Sequence, residues 1–215
     1  MVTTRKRPAD RRDQILREAT CLFTSKGYEG TSIRMIARSC GITEAAIYRH
    51  FEGKEDLYHS AIAEKAKEHD IKGTLEAMAG QGSIEEVLTS VAGHILSLAE
   101  TDPQLMQLMF RNSFQAGPVA RMLFVEIRLP YIEFLAHEIE RRQGEGEIIE
   151  VDAFTSARCF VGMVMDCALN TGVWTSLTNE EFKAENVICN NVPIFARGLT
   201  NSAASSEAAK LGSDR

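Results

Sequence analysis

The residues best equipped for chemistry crowd into one short stretch, Thr43, Glu44, Tyr48, Arg49, His50 and Lys54, with Ala45 and Ala46 among them. Hydroxyl, imidazole and ammonium groups at Tyr48, His50 and Lys54 suit phosphate oxygens, contacts that fix register on a duplex without reading its sequence. Ala45 and Ala46 carry no bulk, so a helix bearing them can approach base edges, and their methyls can pack on thymine methyls. No comparable grouping for catalysis exists. There is no G-x-S-x-G, no Gly-rich phosphate loop and no H-E-x-x-H, and the five His (50, 59, 69, 94, 137) stand apart without paired ligand spacing. An enzyme is therefore not expected, and neither a cofactor nor a metal.

The elements needed to position these groups are written around them. Residues 30–57 read GTSIRMIARSCGITEAAIYRHFEGKEDL. Ile33 and Ile36 are apolar at i and i+3, small Ala37 permits close helix approach, and Gly41 falls in the turn. Ile42 and Ile47 supply the inner face of a second helix that Thr43 is placed to cap, the pattern of a helix-turn-helix. A preceding helix is marked by Ile15, Leu16, Ala19, Leu22 and Phe23 at helical spacing, closed by Gly27. Plainer roles exist for three of the residues: Tyr48 as a core aromatic, His50 as a helix-end residue and Glu44 as a solvated charge.

Charge separates along the chain. The 215 residues hold 24 Lys+Arg and 30 Asp+Glu, net −6. Residues 1–50 alone are net +5, and residues 51–215 net −11. The basic head includes an arm, Arg5, Lys6 and Arg7 followed by Arg11 and Arg12, of the kind that follows a backbone or enters a narrow minor groove. The five Cys (21, 40, 159, 167, 189) have neither C-x-x-C nor metal spacing and read as reduced, buried thiols. The apolar content of 44% supports a folded core. No apolar run reaches the length of a membrane span and no secretory signal is recognisable at the start, so a cytoplasmic location is the expectation.

From Arg11 through Tyr58 the sequence resembles the DNA-binding domain of the TetR/AcrR family of transcriptional regulators. The likeness is carried by Lys26-Gly27-Tyr28, Thr31-Ser32-Ile33, Ile36-Ala37, Gly41-Ile42-Thr43, Ile47-Tyr48-Arg49-His50-Phe51 and Lys54-Glu55-Asp56-Leu57-Tyr58. Cys40 departs mildly from the alanine usual there. The resemblance implies phosphate contacts for Thr31 or Ser32, Tyr48, His50 and Lys54, and base reading by Thr43, Glu44, Ala45, Ala46 and Arg49 in some combination. It also implies a carboxyl-terminal helical domain with a small-molecule pocket and a homodimer made by the last two helices.

The remaining sequence agrees with an all-α chain. Capping signals at Ser83/Glu86, Asp102-Pro103, Gly117-Pro118 and Thr178/Glu181 place helices at about 54–72, 83–100, 103–115, 118–142, 152–174 and 179–198. Pro130 and Pro193 fall inside two of them and predict a kink or break; two shorter helices over 118–142 are the alternative. Flexible and aromatic side chains, Met106, Met109, Phe110, Phe114, Met122, Phe124 and Met163, are candidates for an apolar effector pocket. Arg111, Asn112, Gln115 and Arg128 are nearby polar candidates. Asp166 interrupts an apolar helix and must face a cationic effector, a basic group across a dimer, or solvent.

The expected organisation is a basic arm (1–8), a three-helix helix-turn-helix domain (9–58), a helical effector-binding and dimerisation domain (59–199) and a disordered tail (200–215). The expected function is that of a homodimeric, ligand-responsive repressor of a palindromic double-stranded DNA operator. Its rival, a helical structural dimer, leaves the basic head without a role.

Overall fold

The structure, a computed structural model, describes residues 8–113, 117–169 and 183–201. In chain order the helices are α1 (Pro8–Lys26), α2 (Ile33–Cys40), α3 (Glu44–Ile47), α4 (Lys54–Glu68), α5 (Ile71–Met78), α6 (Ile84–Thr101), α7 (Pro103–Ser113) and α8 (Pro118–Leu123). A π segment, Phe124–Arg128, leads into α9 (Leu129–Gly144), followed by α10 (Ala153–Leu169) and α11 (Ala184–Leu199). Among the described residues the only strand-like pairing is the isolated bridge between Ile148 and Thr200. No helix among them is long and apolar enough to cross a membrane. Contacts divide the chain into two units, Met1–Asp70 with Asp102–Ile127, and Ile71–Thr101 with Arg128–Arg215.

In the first unit α1 packs on α2, α4 and α7, and α4 also packs on α8. The seam is apolar because each helix repeats its apolar residues with helical period: Ile15, Leu16, Ala19 and Phe23 on α1, and Leu57, Tyr58, Ala61 and Ile62 on α4 are all buried. Phe23 and Tyr28 both meet the Tyr58 ring edge to face, at 4.9 and 5.2 Å between centroids, a geometry the ring quadrupoles favour. α7 opens on Asp102, whose Oδ1 accepts the Leu105 amide at 3.1 Å. Its Oδ2 takes Lys65 and His69 of the α4 end, each at 3.0 Å. Burial alone would raise the Asp102 pKa; the hydrogen bonds from His69, Lys65 and the Leu105 amide outweigh it and hold the carboxyl below its ordinary value.

In the second unit α6 packs on α9, α10 and α11, and α5 rests on α9. The Ser83/Glu86 capping box is formed: the Glu86 carboxylate accepts the Ser83 amide at 2.7 Å, and the Ser83 hydroxyl accepts the Glu86 amide at 3.3 Å. Beneath the loop before α6 lies a buried ion pair. Glu138 Oε1 accepts the Gly80 amide at 2.9 Å and Arg142 donates to the Gly82 carbonyl at 2.9 Å, with 3.4 Å between Glu138 and Arg142. The pair thus fastens that loop to α9.

Several elements differ from the sequence expectation. The helix expected at 54–72 stops at Glu68, because Asp70 adopts a left-handed conformation (φ 45°), and a separate helix, α5, follows. Asp is among the few non-glycine residues that tolerate this. Pro130 stands in the first turn of α9, and 118–142 divides into α8 and α9, the alternative of two shorter helices; they are joined by the π segment Phe124–Arg128, since Pro130 lacks an amide for the Glu126 carbonyl. α11 stays helical through Pro193. Cys40 and Cys167 are buried as expected, but Cys21, Cys159 and Cys189 are exposed because they fall on the polar sides of their helices. Thr200, assigned to the tail, pairs with Ile148, and Asn201 donates to the Glu147 carbonyl at 3.0 Å. The Thr178/Glu181 box, the basic residues Arg5 to Arg7 and positions 202–215 lie outside the described residues.

Two outcomes follow for stability. Arg142→Met removes the buried cation beside Glu138 and leaves it only the half-buried Arg141, and is expected to cost about 3 kcal/mol, whereas Glu138→Met/Arg142→Met recovers part of the loss; urea unfolding of the variants measures both. Asp102→Asn is expected to cost about 2 kcal/mol at neutral pH. Because the native Asp102 pKa is lowered, that advantage is full above the ordinary carboxyl range near about 4 and fades as pH falls through the native value. A pH series of unfolding midpoints should show wild type and variant converging in acid.

Candidate nucleic-acid interface

The turn between α2 and α3 is built from local chemistry. Ser32 caps α2, its hydroxyl accepting the Met35 amide at 3.3 Å. Gly41 ends it with φ 66°, a left-handed conformation that would strain any residue with a Cβ, and the Ile42 amide returns to the Ala37 carbonyl at 2.9 Å. Thr43 then caps α3 by accepting the Ala46 amide at 3.3 Å. Ile33, Ile36, Ala37 and Cys40 from α2, Ile47 from α3 and Phe51 after it are buried.

Burying Ile47 turns the opposite side of this short element outward. Thr43, Glu44, Ala45 and Arg49 are exposed, Ala46 and His50 are half-buried, and Tyr48 is 54% exposed. Tyr48 is thus not a core aromatic. The aromatic that fills the core is Phe51, and the Arg12 guanidinium lies over it, 5.1 Å from the ring centroid. Lys54 is half-buried: its Nζ donates to the Tyr28 carbonyl at 3.1 Å and sits 4.0 Å from the Tyr28 ring centroid. One of its three protons is committed there and the others remain for an anion. Its 4.0 Å approach to the exposed Glu29 adds little in water.

Thr31 must be reassigned. Its side chain is buried, and its hydroxyl lies 2.8 Å from the Gly27 carbonyl and 3.1 Å from that of Leu22, so it ties the end of α1 to the start of α2 and is not presented to phosphate. Ser32 beside it is exposed. Two cations escaped the sequence reading: Arg34 and Arg38, one turn apart on the exposed side of α2, line a surface depression together with Ile42, Thr43 and Glu44. Their phase opposite Ile33, Ile36, Ala37 and Cys40 was the available signal.

The effector candidates are spread over both units. Met106 is buried in the first unit, where Met109, Met122 and Phe124 are half-buried; Met163 is half-buried on α10 in the second. The Phe110 side chain and Phe114 lie outside the described residues. Asp166 is exposed, since Val164, Met165, Cys167 and Ala168 take the inward phase of α10.

A three-helix core that buries one side of a one-turn helix and exposes its capped first turn, flanked by cations, defines a helix-turn-helix DNA-binding regulator. Residues 15–61 match the family of bacterial regulatory proteins described as the tetR family. The chain is 28% identical over 173 residues to the HTH-type transcriptional regulator AcrR of Shigella flexneri, covering 76% of this chain and 80% of that one. Over 59 residues it is 37% identical to the HTH-type transcriptional repressor KstR2 of Mycolicibacterium smegmatis, 27% of this chain and 29% of the relative. Its fold is similar to that of the transcriptional regulator FadR from Bacillus subtilis in complex with stearoyl-CoA: TM-score 0.71, 20% identity, 86% of this chain and 98% of that one. Residues 15–61 thus form a DNA-binding domain of the tetR family, and the chain as a whole is similar to the family's regulators. It is a transcriptional regulator with a DNA-binding domain and not an enzyme.

Exposed and buried residues of the site should separate cleanly on substitution. Tyr48→Phe/Arg49→Ala is expected to weaken binding to a genomically selected DNA fragment about 10- to 100-fold, the equivalent of two polar contacts, while leaving the urea midpoint unchanged. Thr31→Val should do the reverse, lowering stability by about 1 kcal/mol with little change in DNA affinity of the folded protein. Gel-shift titrations paired with unfolding curves check both.

Proposed function

We propose that the chain is a homodimeric repressor that binds a partly palindromic operator and is released from it by a small apolar or amphipathic effector. The observation that carries this reading is the outward-facing set Thr43, Glu44, Ala45, Tyr48 and Arg49, held on the buried anchor Ile47. Ser32, His50, Lys54 and the exposed Arg34 and Arg38 supply phosphate contacts around it, with Ala46 beside the base-reading turn. The KstR2 name supports repression, and the stearoyl-CoA bound to FadR supports an effector with a long apolar part.

A dimer through α10 and α11 is supported by apolar side chains that the single chain leaves in water, Phe154 at 44% exposure and Ile194 at 66%. Pairing these helices with a second copy buries both. Two recognition helices then reach successive major grooves, roughly 34–36 Å apart on one face of the duplex. Apolar side chains of α7 and α8, Met106, Met109 and Met122, with Phe124 just after them, are suited to sense an effector, because these helices pack on α1 and α4 within the DNA-binding unit. To release DNA, the effector must favour one arrangement over the other by about 1–3 kcal/mol.

Footprinting on the protein's own upstream region and a genomic selection at low salt test the reading. A protected inverted repeat with two half-sites about one helical turn apart, and affinity falling steeply with salt, are the expected results. Phe154→Glu/Ile194→Glu should give monomers in sedimentation and lose the footprint. Failure to select any DNA, or operator binding by the monomeric variant at wild-type affinity, would sink the proposal.

A further inference from the structure

A carboxylate stands on the surface that meets a polyanion. Glu44 is the first residue of α3 and is exposed. Other carboxylates of the first unit are used inside the fold: Glu18 accepts the Ser39 hydroxyl, and Asp56 accepts the Glu52 amide at 2.8 Å. The Glu44 side chain has no hydrogen bond or ion pair among the described residues. Arg34 and Arg38 line the same surface depression from α2, both exposed and neither paired with Glu44. The carboxylate is therefore left for a group outside the chain.

The nature of that group follows from the charge. An ionised carboxylate only accepts hydrogen bonds. It is repelled by phosphates and by the major-groove edges of guanine, which offers N7 and O6, and of thymine, which offers O4. Adenine sets its N6 amino group beside the acceptor N7, so a carboxylate drawn to one is repelled by the other. Cytosine presents the N4 amino group and no acceptor of its own. Against any other base Glu44 gives up water without replacement, and that loss turns a preference into discrimination. Ala45 and Ala46, which follow it, place no bulk between the turn and the base edges.

Arg34 and Arg38 make an anion tolerable at this place. Two cations and one carboxylate leave the depression net positive, so the phosphates that repel Glu44 are held by its neighbours while the α3 edge stays selective for an amino group.

We propose that Glu44 is a specificity-determining residue of the operator complex, accepting the N4 amino group of a cytosine in each half-site, with Arg34 and Arg38 on adjacent phosphates. The inference rests on the reading of α3 as the recognition element, and it adds the base that one of its residues selects.

The test is selection from a random duplex pool by the full-length protein, carried out with wild type, Glu44→Gln, Glu44→Ala and Arg34→Met/Arg38→Met. The wild type should enrich a C·G pair in each half-site whose replacement by A·T weakens binding about tenfold or more in gel shifts. Glu44→Gln should move the enrichment at that position to A·T, because a carboxamide holds adenine through N6 and N7, and Glu44→Ala should lose it there and nowhere else. Arg34→Met/Arg38→Met should weaken all sites alike and reduce the salt dependence while keeping the C·G pair, since phosphate contacts carry no sequence information. A change confined to one base pair is an effect that lost stability does not produce. A motif unchanged by both Glu44 substitutions, or a Glu44-dependent position at which the wild type prefers A·T, overturns the proposal. A wild-type protein that selects no duplex at all refutes instead the regulator reading beneath it.

Discussion

A four-residue helix has no stability of its own, because nucleating one turn fixes several backbone dihedrals for a single hydrogen bond. α3 exists because Ile47 and Phe51 are buried against the rest of the first unit and because Thr43 caps its first turn. Everything proposed for DNA recognition depends on that anchoring. With Ile47 facing inward, helical geometry turns Thr43, Glu44, Ala45 and Tyr48 outward, and the left-handed Gly41 sets the angle at which they emerge. Thr31, from which a phosphate contact was expected, serves the same end from beneath by joining α1 to α2.

Charge organises the molecule at a longer range. A chain of net −6 approaches a polyanion because its positive charge lies in the first quarter, and Arg34 and Arg38 concentrate it beside the recognition turn. Elsewhere the fold buries ionic groups and compensates them: Glu138 with Arg142 beneath the loop before α6, and Asp102 with Lys65 and His69 where α4 ends and α7 begins.

Local signals were readable wherever a residue type has one dominant use. The Ser83/Glu86 box, the Asp102 and Thr43 caps and the left-handed Gly27 and Gly41 formed as their sequence context required. Signals that depend on competition between local and tertiary preferences were not readable. Asp70 ends α4 in a conformation aspartate seldom adopts, and the division of 118–142 into two helices comes with a π segment that proline alone does not announce. The exposure of Cys21, Cys159 and Cys189 follows from helix phase, not from residue type.

The amino-acid sequence by itself determined the helical class, the helix-turn-helix and the residue types at its reading surface, because each rests on period, capping and glycine conformation within a few residues. Tertiary structure alone decided which neighbours of that surface face outward. Thr31 and Ser32, adjacent in sequence, are respectively buried and exposed, and Tyr48 is exposed while Phe51, three residues on, fills the core. It also decided that Arg142 reaches the carbonyl of Gly82, sixty residues away, since compensation of a buried charge depends on which distant groups the packing brings within hydrogen-bonding reach.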